Sequence, residues 1–244
     1  RRPPRSTLSS SSAASDVYKR QTWTRPRIIS NLYNRNKLTV QNSTLVEENG
    51  NKLILGVDYA PVGHKAASDG GSGVFITEDG GQSWIDRVTG KSRPVVQPGG
   101  SGGLAAGFHI NMVRLHDGKL MAMARHLEGV SDINGHTVMS YSEDEGESWS
   151  YRESLFPNIG SGQRLVLMRL NEGPLLFASF ENGHIYLALS RDEGETWPVK
   201  KKLAELPKGY MAATQTPDNR IHLITSREYL RFNLPWILDQ PGTK

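Results

Sequence analysis

Apolar positions along this chain fall in short alternating runs that come in pairs around tight turns. Ser43-Thr-Leu-Val-Glu-Glu48, then Asn49-Gly50, then Lys52-Leu-Ile-Leu-Gly-Val57 reads as a first hairpin, and Ile110 to Leu115, Asp117-Gly118, Leu120 to Ala124 as a second. Leu165 to Leu170, Asn171-Glu-Gly173, Leu175 to Phe180 gives a third, and Ala212 to Thr216, Pro217-Asp-Asn219, Ile221 to Thr225 a fourth. Asn-Gly and Asp-Gly between alternating runs are strong hairpin signals, because both central residues of the tight turn need positive φ. No sustained i, i+3, i+4 spacing appears, so long helices are not expected.

A second pattern is laid over the first. The octapeptide S/T-x-D-x-G-x-[ST]-W occurs as Thr77 to Trp84, Ser142 to Trp149 and Ser190 to Trp197. An Asp two residues after a hydroxyl residue, with Gly two further on, is turn chemistry: the carboxylate can accept from N–H groups ahead of it, and Gly takes the left-handed position. The Trp three residues later can fold back as an apolar plug. Each copy follows an alternating strand, Val74-Phe-Ile76, Thr137 to Tyr141 and Ile185 to Leu189. After each of the first three hairpins, then, a third strand leads into the octapeptide and a fourth leaves it. Four-stranded units repeated in this way are the blades of an all-β propeller.

This octapeptide is similar to the Asp box, or BNR repeat, of the sialidase superfamily, and the resemblance covers about Thr22 to Trp236. It implies a sialidase-like β-propeller of the six-bladed type. Three full blades, the inner hairpin of another and the exit strand of one lying mostly upstream are expected, that is, an incomplete ring. In that family the boxes sit at the outer edge of the blades, so Asp79, Asp144 and Asp192 are expected to be turn formers and not catalysts. The Gly- and Pro-rich stretch from Arg87 to Gly107 reads as a surface loop between blades.

Composition changes one part of this picture. The chain has 29 basic and 25 acidic residues, a formal net charge of +4, which by itself would point toward an anionic partner. Residues 1–21, however, contain five of the basic residues (Arg1, Arg2, Arg5, Lys19, Arg20) and one acid (Asp16), so the remainder carries 24 of each. Ser11 to Gln21 resembles the in-frame translation of a widely used transposase sequencing adapter, and Arg1 to Thr7 the flow-cell end of the same oligonucleotide. Residues 1–21 are therefore set aside as an adapter-like, disordered tail expected to pack against nothing, and 22–244 as one domain. Without that tail nothing suggests nucleic acid. No run of about 18 apolar residues suggests a membrane span, and any leader would have stood upstream of Thr22, which leaves localisation open between secreted, periplasmic and other compartments. There is no cysteine, hence no disulfide and no thiolate metal site. His109, His126 and His136 do not fall at ligand spacing with a carboxylate, so neither metal nor cofactor is expected.

Propeller geometry says where chemistry would sit. Residues just before the first strand of a blade and just after the second converge at the mouth of the central channel. These are Gln41 and Asn42 with Asp58 and Tyr59; His109 with Arg125 and His126; Gln163 and Arg164 with Glu181 and Asn182; Tyr210 with Ser226 and Arg227. Loops after the second strands add Asp69 and Asp132.

Gly209 to Asp218 resembles the family segment that carries a tyrosine nucleophile, and Leu115 to Arg125 the segment that carries a substrate-clamping arginine. The resemblance implies Tyr210 as nucleophile, Asp132 or Asp69 as acid and base, and Arg125, Arg164, Gln163 and His109 as substrate-binding residues. The chain departs from the pattern where glutamates are expected, having His109 and Ser226. Gly162 to Phe177, Asp192 to Pro198, Gly209 to Ser226 and Arg231 to Trp236 resemble bacterial exo-α-sialidase-like BNR proteins more closely. The implied activity is that of an exo-α-sialidase-type glycoside hydrolase acting on a terminal anionic sugar of a glycan, with the fragment alone expected to be inactive. A non-catalytic glycan-binding propeller, and a polysaccharide lyase or other sugar enzyme using Tyr and His on the same scaffold, stand as alternatives.

Overall fold

The computed structural model describes residues 11–12, 27–28, 37–47, 50–60, 70–125 and 132–239. Strands β1 (Ser11–Ser12) and β2 (Arg27–Ile28) pair with each other, so two residues of the adapter-like segment do have a partner. The rest of 1–21 lies outside the described residues.

The other strands form four antiparallel sheets, each built from consecutive stretches of chain. The first runs β3 (Lys37–Val46), β4 (Leu53–Ala60), β5 (Gly71–Thr77), β6 (Ile85–Asp86). The second comprises β7 (Ser101–Gly102), β8 (Phe108–Arg114), β9 (Leu120–Arg125), β10 (Asp132–Ile133), β11 (His136–Ser142) and β12 (Trp149–Pro157), in the order β8-β9-β11-β12-β7 with β10 on β11. The third runs β13 (Val166–Arg169), β14 (Leu175–Glu181), β15 (His184–Ser190), β16 (Val199–Glu205), and the fourth β17 (Met211–Gln215), β18 (Arg220–Thr225), β19 (Tyr229–Asn233). The inner strands stand side by side, β3 against β8, β8 against β13 and β13 against β17. Four blades thus follow one another around an axis, in propeller manner.

Apolar packing between blades follows from strands that are buried on both faces. All seven positions of β5 are buried, as are six of the seven in β14. Between the second and third blades the aromatic rings meet directly: Phe156 of β12 stacks on Phe177 of β14 with centroids 4.3 Å apart, and Trp197 stands edge-on to Phe156 at 5.2 Å. Charged pairs recur at the rim. Arg87 and Arg152, each three residues past a box Trp, reach Glu147 and Glu195 in the next box, at 2.5 and 2.7 Å. Such part-exposed pairs contribute only about 0.2–1 kcal/mol each, so they set register between blades more than they hold the fold.

The three octapeptides share one hydrogen-bond pattern. In the third, Ser190 Oγ donates to Asp192 Oδ1 (2.8 Å), Gly194 N–H donates to Ser190 Oγ (2.8 Å), and Thr196 gives its N–H to Oδ1 (2.8 Å) and its hydroxyl to Oδ2 (2.5 Å). Asp144 and Asp79 repeat the pattern with Ser148 and Ser83. Box glycine is required by more than its φ of 80° at Gly146: a Cβ there would lie 2.4 Å from Val74 Cγ2, so the box can seat on the preceding blade only without a side chain. All three carboxylates are spent on their own turns, as expected of turn formers.

These bonds give the boxes an acid-sensitive character. The Thr196 hydroxyl and N–H, followed by Ser190, hold the Asp192 carboxyl at about 2 against an ordinary 3.8. A depressed folded-state value contributes stability above the unfolded value that is lost as pH falls toward the folded one, so the window runs from about pH 4 down to about pH 2. Asp192→Asn is expected to lower the thermal midpoint at pH 7 and to flatten its fall across that window; parallel pH curves for parent and variant would count against this role.

Three expectations need correction. The stretch from Arg87 to Gly107 is not a plain surface loop: Val88 and Leu104 are fully buried, Ala105 bridges Ser72, and β7 extends the second sheet. Its apolar residues fill the space between the first two blades. The fourth blade is more than a hairpin, since β19 adds to β18 and ends in a short helix α1 (Leu234–Leu238), capped by the Asn233 side chain accepting from Trp236 N–H at 3.0 Å. Lys201 donates to the carbonyls of Trp236 and Asp239 and so ties α1 to β16. Gln41 and Asn42 lie within β3, at an irregularity between Val40 and Thr44, and do not precede the strand.

Candidate functional site

Inner strands begin, and second strands end, at one end of the blades, and the polar residues there come from all four. Asp58 lies near the end of β4, His109 near the start of β8, Arg125 at the end of β9, and Arg164 and Tyr210 just before β13 and β17.

His109 is the residue around which the others are arranged. Register between β8 and β9 slips between Phe108 and Asn111, and His109 sits in that slip with φ of 62°, a conformation uncommon for any residue but glycine. The ladder partner that its N–H loses is replaced by a carboxylate: Asp58 Oδ1 accepts from His109 N–H at 2.7 Å, and Oδ2 lies 2.9 Å from His109 Nδ1. The His109 carbonyl accepts from Asn111 Nδ2 at 3.2 Å. Asp58 is fully buried, and Ser72 Oγ stands 3.2 Å from its Oδ1 while also bonding Gly107 O at 2.9 Å. Gly107 itself has φ of 86°, and a Cβ on it would lie 2.4 Å from the Arg125 carbonyl. Only glycine lets β8 start this close to the end of β9.

An ionised carboxylate only accepts, so Nδ1 carries the proton and Nε2 the lone pair. Arg164 Nη2 is 3.4 Å from the same Nδ1, but a protonated nitrogen cannot accept from a guanidinium, so the shorter contact with Asp58 decides the tautomer. Burial draws the imidazole below its ordinary 6.5, Asp58 works the other way, and the positive charges of Arg164 and Arg125 add to the effect of burial. His109 is neutral near pH 7.

Tyr210 closes the group. Its ring stands edge to face with His109, centroids 5.6 Å apart at 72°, and the Arg164 guanidinium lies over it at 4.9 Å. The residue is 44% exposed. Its backbone is fixed by Ser226 Oγ, which accepts from Tyr210 N–H at 2.8 Å, while the Gly209 carbonyl accepts from Arg164 N–H at 3.1 Å. Ser226, standing where a glutamate was expected, positions main chain.

Of the residues singled out from sequence, Tyr210, His109, Arg164 and Arg125 are brought together. Gln163 is placed differently, with Oε1 accepting from Gly160 N–H (3.0 Å) and Nε2 donating to Pro207 O (3.2 Å), so its amide joins two loops. Asp132 pairs with Thr137, two residues before Met139, the point where β9 becomes the partner of β11. It thus lies at the same blade end as Arg125, with Oδ1 accepting from Gly135 N–H at 2.9 Å. Asp69 and His126 lie outside the described residues. Asp58 was foreseen at the channel mouth but given no role; its pairing with His109 spans 51 positions and has no local signal. Among the described residues no cluster of three or more potential metal ligands forms, and no helix is long and apolar enough to cross a membrane.

Comparison with solved structures returns sialidases. The chain matches the NanB sialidase of Streptococcus pneumoniae with a TM-score of 0.62 at 16% identity, covering 88% of this chain and 34% of that one. A leech intramolecular trans-sialidase matches at 0.54 and 15% identity, covering 89% and 35%, and Trypanosoma rangeli sialidase at 0.53 and 14%, covering 88% and 35%. The chain therefore spans about a third of the length of the structures it resembles. A sequence search of curated proteins finds no match. The model of the BNR repeat-like domain matches residues 21–223, and with the three Asp boxes in place on a propeller of sialidase type, the chain belongs to the BNR-repeat proteins of the sialidase superfamily.

Proposed function

We propose that the complete protein is an exo-acting glycoside hydrolase of sialidase type, removing a terminal anionic sugar from a glycan, and that this chain supplies four blades of a six-bladed ring. The observation that carries the reading is the meeting of two guanidiniums, a half-exposed tyrosine and a carboxylate-held histidine, drawn from four successive blades, at one end of the inner strands. Arg125 and Arg164 offer planar forks to a sugar carboxylate. Tyr210 suits attack on an anomeric carbon that bears a carboxylate, since a neutral phenol approaches it without charge repulsion, the exception that sialidases make to paired carboxylates. Asp132 or Asp69 would protonate the departing oxygen.

Aryl glycosides of acidic and neutral sugars, offered side by side to the complete protein, test this. Cleavage confined to acidic sugars is expected. Arg125→Lys keeps the charge but loses the fork, so it is expected to raise KM with little change in kcat. Equal cleavage of neutral sugars would overturn the anionic-sugar assignment.

His109 standing in place of a carboxylate favours a second reading, β-elimination from a uronic acid by Tyr and His. The same assay separates the two, because a lyase leaves an ultraviolet-absorbing unsaturated sugar and a hydrolase does not.

A further inference from the structure

We infer that His109 is the base that takes the phenol proton of Tyr210, and that Asp58 is the positioning residue that aims it; this rests on the hydrolase reading. The first ground is conformational. A non-glycine residue held at φ of 62° is strained and persists only where its surroundings over-determine it. Here Asp58 does so, grasping both the backbone N–H and the ring of one residue. A purely structural bulge needs the first bond and not the second.

The second ground is proximity. With Nδ1–H spent on Asp58, the only basic position left on the ring is Nε2, and the ring is in edge-to-face contact with Tyr210. The third is electrostatic. Among the described residues, the charged or titratable groups facing His109 are Asp58 from β4, Arg125 from β9, and Arg164 and Tyr210 from the segments before β13 and β17. Before reaction the two arginines and burial keep the imidazole unprotonated and able to accept. Once it has accepted, the buried Asp58 carboxylate stabilises the imidazolium, as in other carboxylate–histidine pairs.

The step balances without any further reagent than water. Tyr210 Oη bonds to the anomeric carbon as its proton passes to His109 Nε2, and the glycosidic C–O bond breaks with its electron pair on the aglycone oxygen. That oxygen takes a proton from the acid carboxyl, or leaves as a phenolate from an aryl glycoside. In the second half water attacks the anomeric carbon, the bond to Oη breaks, His109 returns the proton to the phenolate oxygen, and the proton from water goes to the carboxylate.

The test compares the complete protein with its His109→Asn and Asp58→Asn variants, Asn being among the residues that tolerate positive φ. In the parent, kcat/KM on an aryl glycoside of an acidic sugar should fall on the acid side as His109 protonates. His109→Asn is expected to lower kcat/KM by about 10²–10⁴-fold and to abolish that limb. Asp58→Asn, which removes the group that raises the His109 value, should move the limb to lower pH, an effect that simple loosening of the fold does not produce; thermal midpoints are recorded alongside. An active parent whose limb is unmoved in both variants overturns the inference and leaves the hydrolase reading standing.

NMR gives a substrate-free arm. In the parent, His109 should show protonated Nδ1 and bare Nε2, and the Tyr210 Cζ signal should shift at the pH where His109 titrates, with no such shift in His109→Asn. Inactivity on every acidic glycoside sinks the hydrolase reading, whereas an Nε2-protonated ring, or a Tyr210 signal blind to His109, sinks this one even so.

Discussion

Tyr210→Phe in the complete protein is expected to abolish turnover of an acidic glycoside, by more than the roughly 10²–10⁴-fold that follows loss of an acid or base, because it removes the atom that bonds to the anomeric carbon. Stability should hardly change. The ring contacts with His109 and Arg164 are kept by phenylalanine, and a substitution at a half-exposed position with its packing intact stays within about 0.5 kcal/mol. Over a domain of this size that is a shift of no more than about 2 °C in thermal midpoint. The combination discriminates. Loss of activity together with a large drop in midpoint would mean the phenol is structural, and near-parental turnover would mean that another group attacks and that Tyr210 is not the nucleophile.

What the sequence revealed of this arrangement divides by the range of the interactions involved. The hydrogen bonds that the Asp carboxylate and the leading hydroxyl make within an Asp box join residues no more than four apart, so the turn is written in its octapeptide and could be read there. Hairpin tips were legible for the same reason, and the propeller topology then placed Arg125, Arg164, His109 and Tyr210 at one end without any knowledge of their contacts. Asp58 and His109 are another matter. Their bond depends on a register slip in β8, on Gly107 letting two chains approach, and on a neighbouring blade delivering the carboxylate, none of which leaves a periodic trace. Likewise the burial of Val88 and Leu104 was hidden because a Gly- and Pro-rich stretch reads as loop whether or not its few apolar residues find a cavity to fill. Helix α1 did leave a signal, an Asn followed two residues later by Pro, but one short turn of helix is easily taken for the end of a strand.

Because the candidate site draws its residues from four blades, its geometry is set by what holds blades together, and Phe177→Ala is the sharpest test of that link. Phe177 is completely buried in β14, stacked on Phe156 of the preceding blade at 4.3 Å and edge-on to Trp197 at 6.0 Å. Truncating such a ring removes its transfer free energy and leaves a cavity that the surrounding sheet cannot fully close, a cost of about 3–5 kcal/mol. Set against the 5–15 kcal/mol typical of a whole domain, this is a loss of roughly 6–20 °C in midpoint. The functional consequence should exceed what unfolding alone explains. Arg164 leads into β13, the strand paired with β14, so loosening the contact between the second and third blades displaces Arg164 relative to His109, which the second blade carries. Activity measured well below the lowered midpoint is therefore expected to show a raised KM for an acidic glycoside and a weaker pH dependence. Phe177→Leu, which refills most of the volume, should recover both. A variant with the full loss of stability but parental KM and pH profile would show that the site is held within blades and not between them.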